Sequence, residues 1–90
     1  MYYIYILQSA RHNKFYIGVS KDLKHRLDKH NSGSSRSTKP YQPWQIIYTE
    51  KFASKNEAYK REFYLKHPQG YQKKLKIIKS NKIRSNGGIA

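Results

Sequence analysis

Four features of this sequence carry chemistry: the tripeptide Tyr3-Ile4-Tyr5, the tripeptide Tyr16-Ile17-Gly18, a lone Arg26 and a lone Glu62. The tripeptides sit in strand-like runs and the two charged residues in helix-like runs. Projected at about 100° per residue, Leu23, Arg26, Leu27 and His30 share one stripe, and Ala58, Glu62 and Leu65 share another. Each stripe should pack on a sheet, which aims an arginine and a glutamate at the interior. An unpaired buried charge costs several kcal/mol, so each of these groups needs a partner. The pattern alone leaves three: each other, in a structural ion pair, a metal ion, or a substrate phosphate.

The elements that must position these groups follow from periodicity and punctuation. Residues 2–8 and 14–19 are rich in Tyr, Ile and Val, and the polar stretch between them is short enough for an antiparallel hairpin. Alternation places Ile4, Ile6, Phe15, Ile17 and Val19 on one face of that hairpin, and Tyr3, Tyr5, Tyr16 and Gly18 on the other. Ser20 as N-cap, Asp22 near the positive end and Gly33 at the close predict a helix over 21–31. Residues 32–43 read as a loop, and 44–51 as a third strand behind Pro43.

Ser54 and Glu57 have capping-box spacing and open a second helix that runs toward Pro68. Beyond Pro68-Gln69-Gly70, the spacing of Tyr71, Leu75 and Ile78 predicts a last helix over 71–80. The fold class expected is α/β, a small three-stranded antiparallel sheet flanked by helices. It forms one domain over 1–80, followed by a flexible tail over 81–90.

The charge balance narrows the partner. Lys and Arg number 19 against five acids, a formal charge of +14 on 90 residues. Solubility asks for a net charge of only about 2 to 8, so the excess favours a phosphate-rich partner and salt-dependent binding. Nucleic acid ranks ahead of an anionic membrane surface. No run approaches the roughly 18 apolar residues of a membrane span, and no signal segment is evident. The absence of cysteine excludes disulfides and thiolate zinc sites and fits a reducing compartment, with the cytoplasm as the expected location. His12, His25, His30 and His67 lack the close pairing of a histidine metal cage.

With these residues in place, the chain resembles the GIY-YIG endonucleases and is similar to the N-terminal nuclease domain of the DNA-repair excinucleases. Tyr3-Ile4-Tyr5 and Tyr16-Ile17-Gly18 stand for the two named tripeptides, Arg26 for the helix arginine, and Glu62 for the later helix glutamate. The order and the hairpin and helix contexts agree over 3–65. Tyr3 replaces the glycine that names the first tripeptide, and Val19 stands where some members have a lysine, a phosphate contact that Lys21 or Lys24 could supply. Gln72 is a weak counterpart of the asparagine that many members carry after the glutamate helix.

The resemblance implies a stand-alone nuclease that uses a divalent metal to cut DNA, with DNA ahead of RNA, and with a protein partner as one route to target selection. Glu62 would bind the one Mg²⁺ or Mn²⁺, and Arg26 would donate two hydrogen bonds to phosphoryl oxygens. Tyr16 would be the general base or pass the proton on, although a phenol of pKa about 10 needs a cation nearby to do so. Tyr5 would position the water or Tyr16, and His30 is the alternative base with a better-matched pKa. Each also has a plainer reading. His30 can be a buried histidine bonded to backbone, Tyr5 a packing residue, Gly18 a relief at a strand end or room for a phosphate, and Trp44 core.

A DNA-binding surface would draw on Lys21, Lys24, Arg36, Lys39, Lys73, Lys74 and Lys76, with Tyr41 and Trp44 near the loop cations. The rival class is a non-catalytic nucleic-acid-binding module on the same fold. Charge reversal at Lys73, Lys74 and Lys76 is expected to flatten the plot of log affinity for DNA against log salt by about one unit per lost phosphate contact. An unchanged slope removes these lysines from the binding surface.

Overall fold

β-Branched and aromatic residues dominate the strands, and the helices begin where a side-chain oxygen can cap a free backbone amide. The computed structural model describes residues 1–34 and 36–83. In chain order the elements are β1 (Tyr2–Ser9), β2 (Phe15–Ser20), α1 (Leu23–Asn31), β3 (Trp44–Phe52), α2 (Lys55–Lys66) and α3 (Tyr71–Asn81). Single 3₁₀ turns occupy Lys39–Tyr41, inside the expected loop, and Pro68–Gly70. The three strands form one antiparallel sheet in the order β2-β1-β3. This is the α/β arrangement expected, a three-stranded sheet with three helices.

Central β1 is covered on both faces, so Ile4, Tyr5, Ile6 and Leu7 are all at most 3% exposed. On one face Ile4, Ile6 and Ile17 join Leu65 of α2 and Ile77 of α3, with Phe15 and Val19 packed beside them. On the other, Tyr5, Leu7 and Trp44 pack with Tyr16 and with Leu23 and Leu27 of α1. Period-two alternation therefore sorts the two faces as read, and Trp44 is core, 3% exposed. Two core clusters divided by one sheet put the tyrosine face under α1 and the loop that follows it.

Local details differ from the sequence reading. The N-cap of α1 is Asp22, whose carboxylate accepts from the His25 amide at 3.0 Å, so the helix starts at Leu23 and not at 21. Ser20 instead accepts from the Asp22 amide at 3.0 Å and shapes the approach to the helix. Gly33 closes α1 with φ +83, the left-handed conformation that glycine adopts without strain. Ser54 caps α2 by accepting from the Glu57 amide at 3.2 Å.

The stripe expected on α3 is rotated. Ile77 is buried and Ile78 and Lys74 half-buried, whereas Tyr71 and Leu75 are exposed, because α3 leans on α2 and β3 rather than on the sheet alone. Arg61, which lies off the Ala58, Glu62 and Leu65 stripe, is half-buried and forms a bidentate pair with Glu50 of β3 at 2.9 and 3.0 Å. Tyr48 donates to the same carboxylate at 2.6 Å. Burial works to raise the Glu50 carboxyl, but the bonds from Arg61 and Tyr48 outweigh it and hold it below the ordinary range. This tie fixes α2 against β3. Beyond α3, Ile83 exchanges two hydrogen bonds with the Gln8 side chain of β1, at 3.0 and 2.6 Å. Residues 84–90 of the expected tail lie outside the described residues.

Gly18 leaves no opening for a phosphate. It faces Tyr5 across the β1–β2 ladder, and a Cβ there would lie 2.5 Å from the Tyr5 hydroxyl oxygen and 2.6 Å from its ring carbon. The vacant side-chain volume is filled by the tyrosine. Gly18→Ala is expected to destabilise by about 1–3 kcal/mol in urea unfolding, the usual cost of overpacking. The loss should shrink in a Tyr5→Leu background, where the clashing atoms are gone, and equal losses in both backgrounds would refute the contact.

Candidate active site

Tyr5 is carried by the central strand with its ring toward α1. Its hydroxyl lies 3.3 Å from His30 Nε2, and His30 Nδ1 lies 3.0 Å from the Thr38 hydroxyl. Thr38 sits just before the 3₁₀ turn, and its carbonyl accepts from Trp44 Nε1 at 2.9 Å. His30 and Thr38 are 4% and 2% exposed, so the chain of hydrogen bonds runs through the core. Asn31 clamps the start of β3 by bonding both the amide and the carbonyl of Trp44. The last turn of α1 is thereby locked onto the sheet.

Protonation follows from these surroundings. Burial first, then Tyr16, pushes the Tyr5 hydroxyl far above the ordinary tyrosine value; Glu62 adds to the rise and Arg26 opposes it. Burial first, then the Arg26 charge, holds the His30 imidazole below its ordinary value of 6.5. At neutral pH both groups are therefore uncharged. A neutral imidazole donates at one nitrogen and accepts at the other. The Tyr5 and Thr38 hydroxyls can each donate or accept, so either neutral tautomer of His30 completes both contacts.

Tyr16 comes from β2 and stacks beside this pair, its ring 4.7 Å from that of His30 and 6.3 Å from that of Tyr5. Lys66 of α2 holds its ammonium 5.8 Å from the Tyr16 ring centre and 3.0 Å from Glu62 Oε2. The Glu62 side chain is 19% exposed, and its Oε1 accepts no hydrogen bond among the described residues. Glu62 is thus inward and partnered, as its helix stripe requires.

The Arg26–Glu62 ion pair that the stripes allowed is not formed. Arg26 is exposed and makes no salt bridge among the described residues. The buried side of α1 centres on Leu23, Leu27 and His30, so Arg26 lies on its shoulder and its long stem carries the guanidinium out to water. Its field still reaches Tyr5 and His30.

Among the described residues no group of three or more His, Cys, Asp or Glu could hold a metal ion, which excludes a protein-built cage there. A single carboxylate suits Mg²⁺, which keeps several waters and takes one or two protein oxygens. Glu62 meets that condition through its open Oε1, with Lys66 on the other oxygen.

The expected DNA contacts are scattered. Lys21 covers the Tyr2 ring at 5.7 Å, and Lys24 pairs with Asp28 at 3.2 Å on the exposed side of α1. Arg36 and Lys39 are exposed in the loop after α1. Lys73 and Lys76 are exposed on α3, and Lys74 stands 5.1 Å over the Tyr71 ring. Because α3 packs on the isoleucine face, these three are not gathered with Tyr5 and His30. Two site residues escape sequence reasoning. Thr38 leaves no signal within a Ser-rich loop, whereas Lys66 is legible as the residue four beyond Glu62, a spacing that brings helix side chains together.

The profile of the GIY-YIG catalytic domain matches residues 1–76. A UPF0213 protein of Staphylococcus saprophyticus is 42% identical over 86% of this chain and 93% of its own length. One from Lactococcus lactis is 38% identical over 92% of this chain and 85% of its own. The solution NMR structure of a UPF0213 protein from Bacillus halodurans superimposes with a TM-score of 0.54 at 29% identity, covering 90% of this chain and 86% of that one.

The buried imidazole makes stability depend on pH. Since the folded state holds the His30 pKa below its ordinary 6.5, the unfolded chain takes up a proton that the folded one refuses as pH falls below that value. The melting temperature should therefore drop from about pH 6.5 downward, and His30→Gln should flatten this part of the profile. The Glu50 contribution disappears only below its ordinary value of 4.5, which separates the two. Calorimetry across pH that shows the same slope for both proteins would contradict the assignment.

Proposed function

The chain belongs to the GIY-YIG catalytic domain family, and from that membership together with the cluster around Tyr5 we propose that it is a divalent-metal-dependent endonuclease hydrolysing DNA phosphodiester bonds. The observation that carries this reading is the convergence on one hydroxyl. Tyr5 bonds His30 and lies within the electrostatic reach of Tyr16, Arg26 and Glu62, groups drawn from β2, α1 and α2. A phenol and an imidazole bonded in the core, with an exposed guanidinium and a half-buried carboxylate in electrostatic range, are the group types that phosphodiester hydrolysis uses.

Each side chain has a task in water attack on phosphorus that leaves a 3′-hydroxyl and a 5′-phosphate. Arg26, always charged and exposed, donates in-plane to phosphoryl oxygens and offsets the charge that builds on them. Tyr16, at the rim of the cluster, takes or relays the proton of the attacking water. Tyr5 stays protonated and orients that exchange through its hydroxyl oxygen. His30 is a positioning residue, since both of its nitrogens are engaged and Thr38 holds it in turn. When bound at Glu62, one Mg²⁺ or Mn²⁺ supplies Lewis-acid stabilisation of the leaving oxygen. Lys66 keeps the carboxylate aligned and balances its charge.

The Lys66–Glu62 contact also favours a second reading, a nucleic-acid-binding module in which that pair is only structural. Cleavage of supercoiled, single-stranded and branched DNA, with and without Mg²⁺ or Mn²⁺, decides between them. Glu62→Ala and Tyr16→Phe, purified like the wild type, are expected to lose about 10²-fold or more in cleavage rate while retaining DNA affinity. Wild-type protein that binds these DNAs and cuts none would establish the binding module, and undiminished cutting by Glu62→Ala would overturn the site.

A further inference from the structure

The outer face of α2 carries a line of exposed rings. Tyr59 is 47% exposed and Phe63 63% exposed, and the His67 ring lies 3.7 Å from that of Phe63. His67 Nδ1 is also 3.1 Å from the Phe63 carbonyl, so the stack is held in place. Tyr59 and Phe63 are one turn apart on the same side of α2, and His67, the extended residue that caps the helix end, turns its ring back onto Phe63. A single exposed apolar residue is ordinary. A largely exposed phenylalanine, which has no polar atom to hydrate, braced by a stacked histidine and preceded by a tyrosine, is a platform.

Its neighbours are cations and the proposed site. Lys55 stands one turn before Tyr59 with its ammonium 6.0 Å from that ring, and Lys66 is three residues from Phe63. Glu62 is three residues from Tyr59, so the strip that holds Glu62 and Lys66 runs directly beside the rings. The other acid of α2, Glu57, belongs to the first turn, next to the cap, and is aligned with Arg61 rather than with the rings. Flat faces flanked by ammonium groups match a strand whose bases are unpaired and whose phosphates follow the lysines. Duplex DNA offers the phosphates but keeps its base faces stacked inside.

We propose that Tyr59, Phe63 and His67 form a stacking platform for unpaired bases of single-stranded DNA, seating the strand so that a phosphate reaches Glu62 and Tyr16. The inference deepens the nuclease reading and rests on it for the direction in which the strand runs. It assigns the substrate class: DNA with an unpaired segment next to the cleaved bond.

Binding without metal separates this idea from the cleavage reading. In EDTA, fluorescence anisotropy compares a labelled oligothymidylate with a blunt duplex of equal length, for wild type, the double variant Tyr59→Ser/Phe63→Ser, and Phe63→Trp. The double variant should lose about five- to a hundredfold in affinity for the single strand and little for the duplex, while Phe63→Trp keeps the wild-type values. Thermal melts of the variants should match that of the wild type, because the substituted side chains are exposed. Unchanged single-strand affinity in the double variant overturns the platform, as does an equal loss on both DNAs. Sedimentation that shows a wild-type dimer dissolved by the double variant overturns it too, assigning the rings to a second copy of the chain. The predicted selective loss without any cleavage by wild type would uphold the platform and remove the nuclease reading.

Discussion

The hydrogen-bonded chain from Tyr5 through His30 to Thr38 is the constraint on which the tyrosine side of this domain depends. Three polar side chains lie in an otherwise apolar layer, where a missing partner leaves the full desolvation penalty of a buried donor or acceptor. Each therefore dictates the position of the next. The 3₁₀ turn must return Thr38 to the end of α1, α1 must present His30 to the sheet, and β2 must offer a glycine opposite Tyr5 so that the phenol can lie down. Among the described residues no buried side-chain nitrogen or oxygen is left without a partner. The burial that makes these bonds necessary also keeps the Tyr5 hydroxyl protonated.

The other sheet face does different work. Isoleucines of β1 and β2 meet Leu65 and Ile77 in a purely apolar layer, and the strong polar tie beside it is the Glu50–Arg61 pair with Tyr48. That tie is partly buried and bidentate, the geometry in which a carboxylate–guanidinium contact contributes most to specificity. It satisfies Arg61 within the fold, so that Glu62, the next residue, is left to Lys66 and to the Tyr16 side. α2 thus reaches both the Glu50 tie and the tyrosine side through the adjacent residues Arg61 and Glu62.

Much of the site is legible in advance because it is written in local patterns. Alternation separates the Ile face from the Tyr face, the Ser54–Glu57 spacing opens α2, and inward positions for His30 and Glu62 follow from helix phase. Arg26 departs from its expected place because phase locates a Cα and not the end of a five-bond side chain, which can leave the packed face at its shoulder. Serine and aspartate are equally good caps, so the sequence points to Ser20, and only the backbone path between them chooses Asp22. The volume beside Gly18 is hidden for a related reason: alternation shows which face a glycine occupies, not which neighbour fills the space.

The sequence by itself determined the family, the charge, the order of elements and the residue types of the candidate site, since motif identity, composition and periodicity are all properties of neighbours along the chain. Tertiary structure alone decided the partners. That His30 bonds Tyr5 and Thr38, that Glu62 meets Lys66 and not Arg26, and that Phe63 stays in water beside the site depend on how far α1 and α2 lean over the sheet. Those distances follow from packing among residues remote in sequence, and no local pattern encodes them.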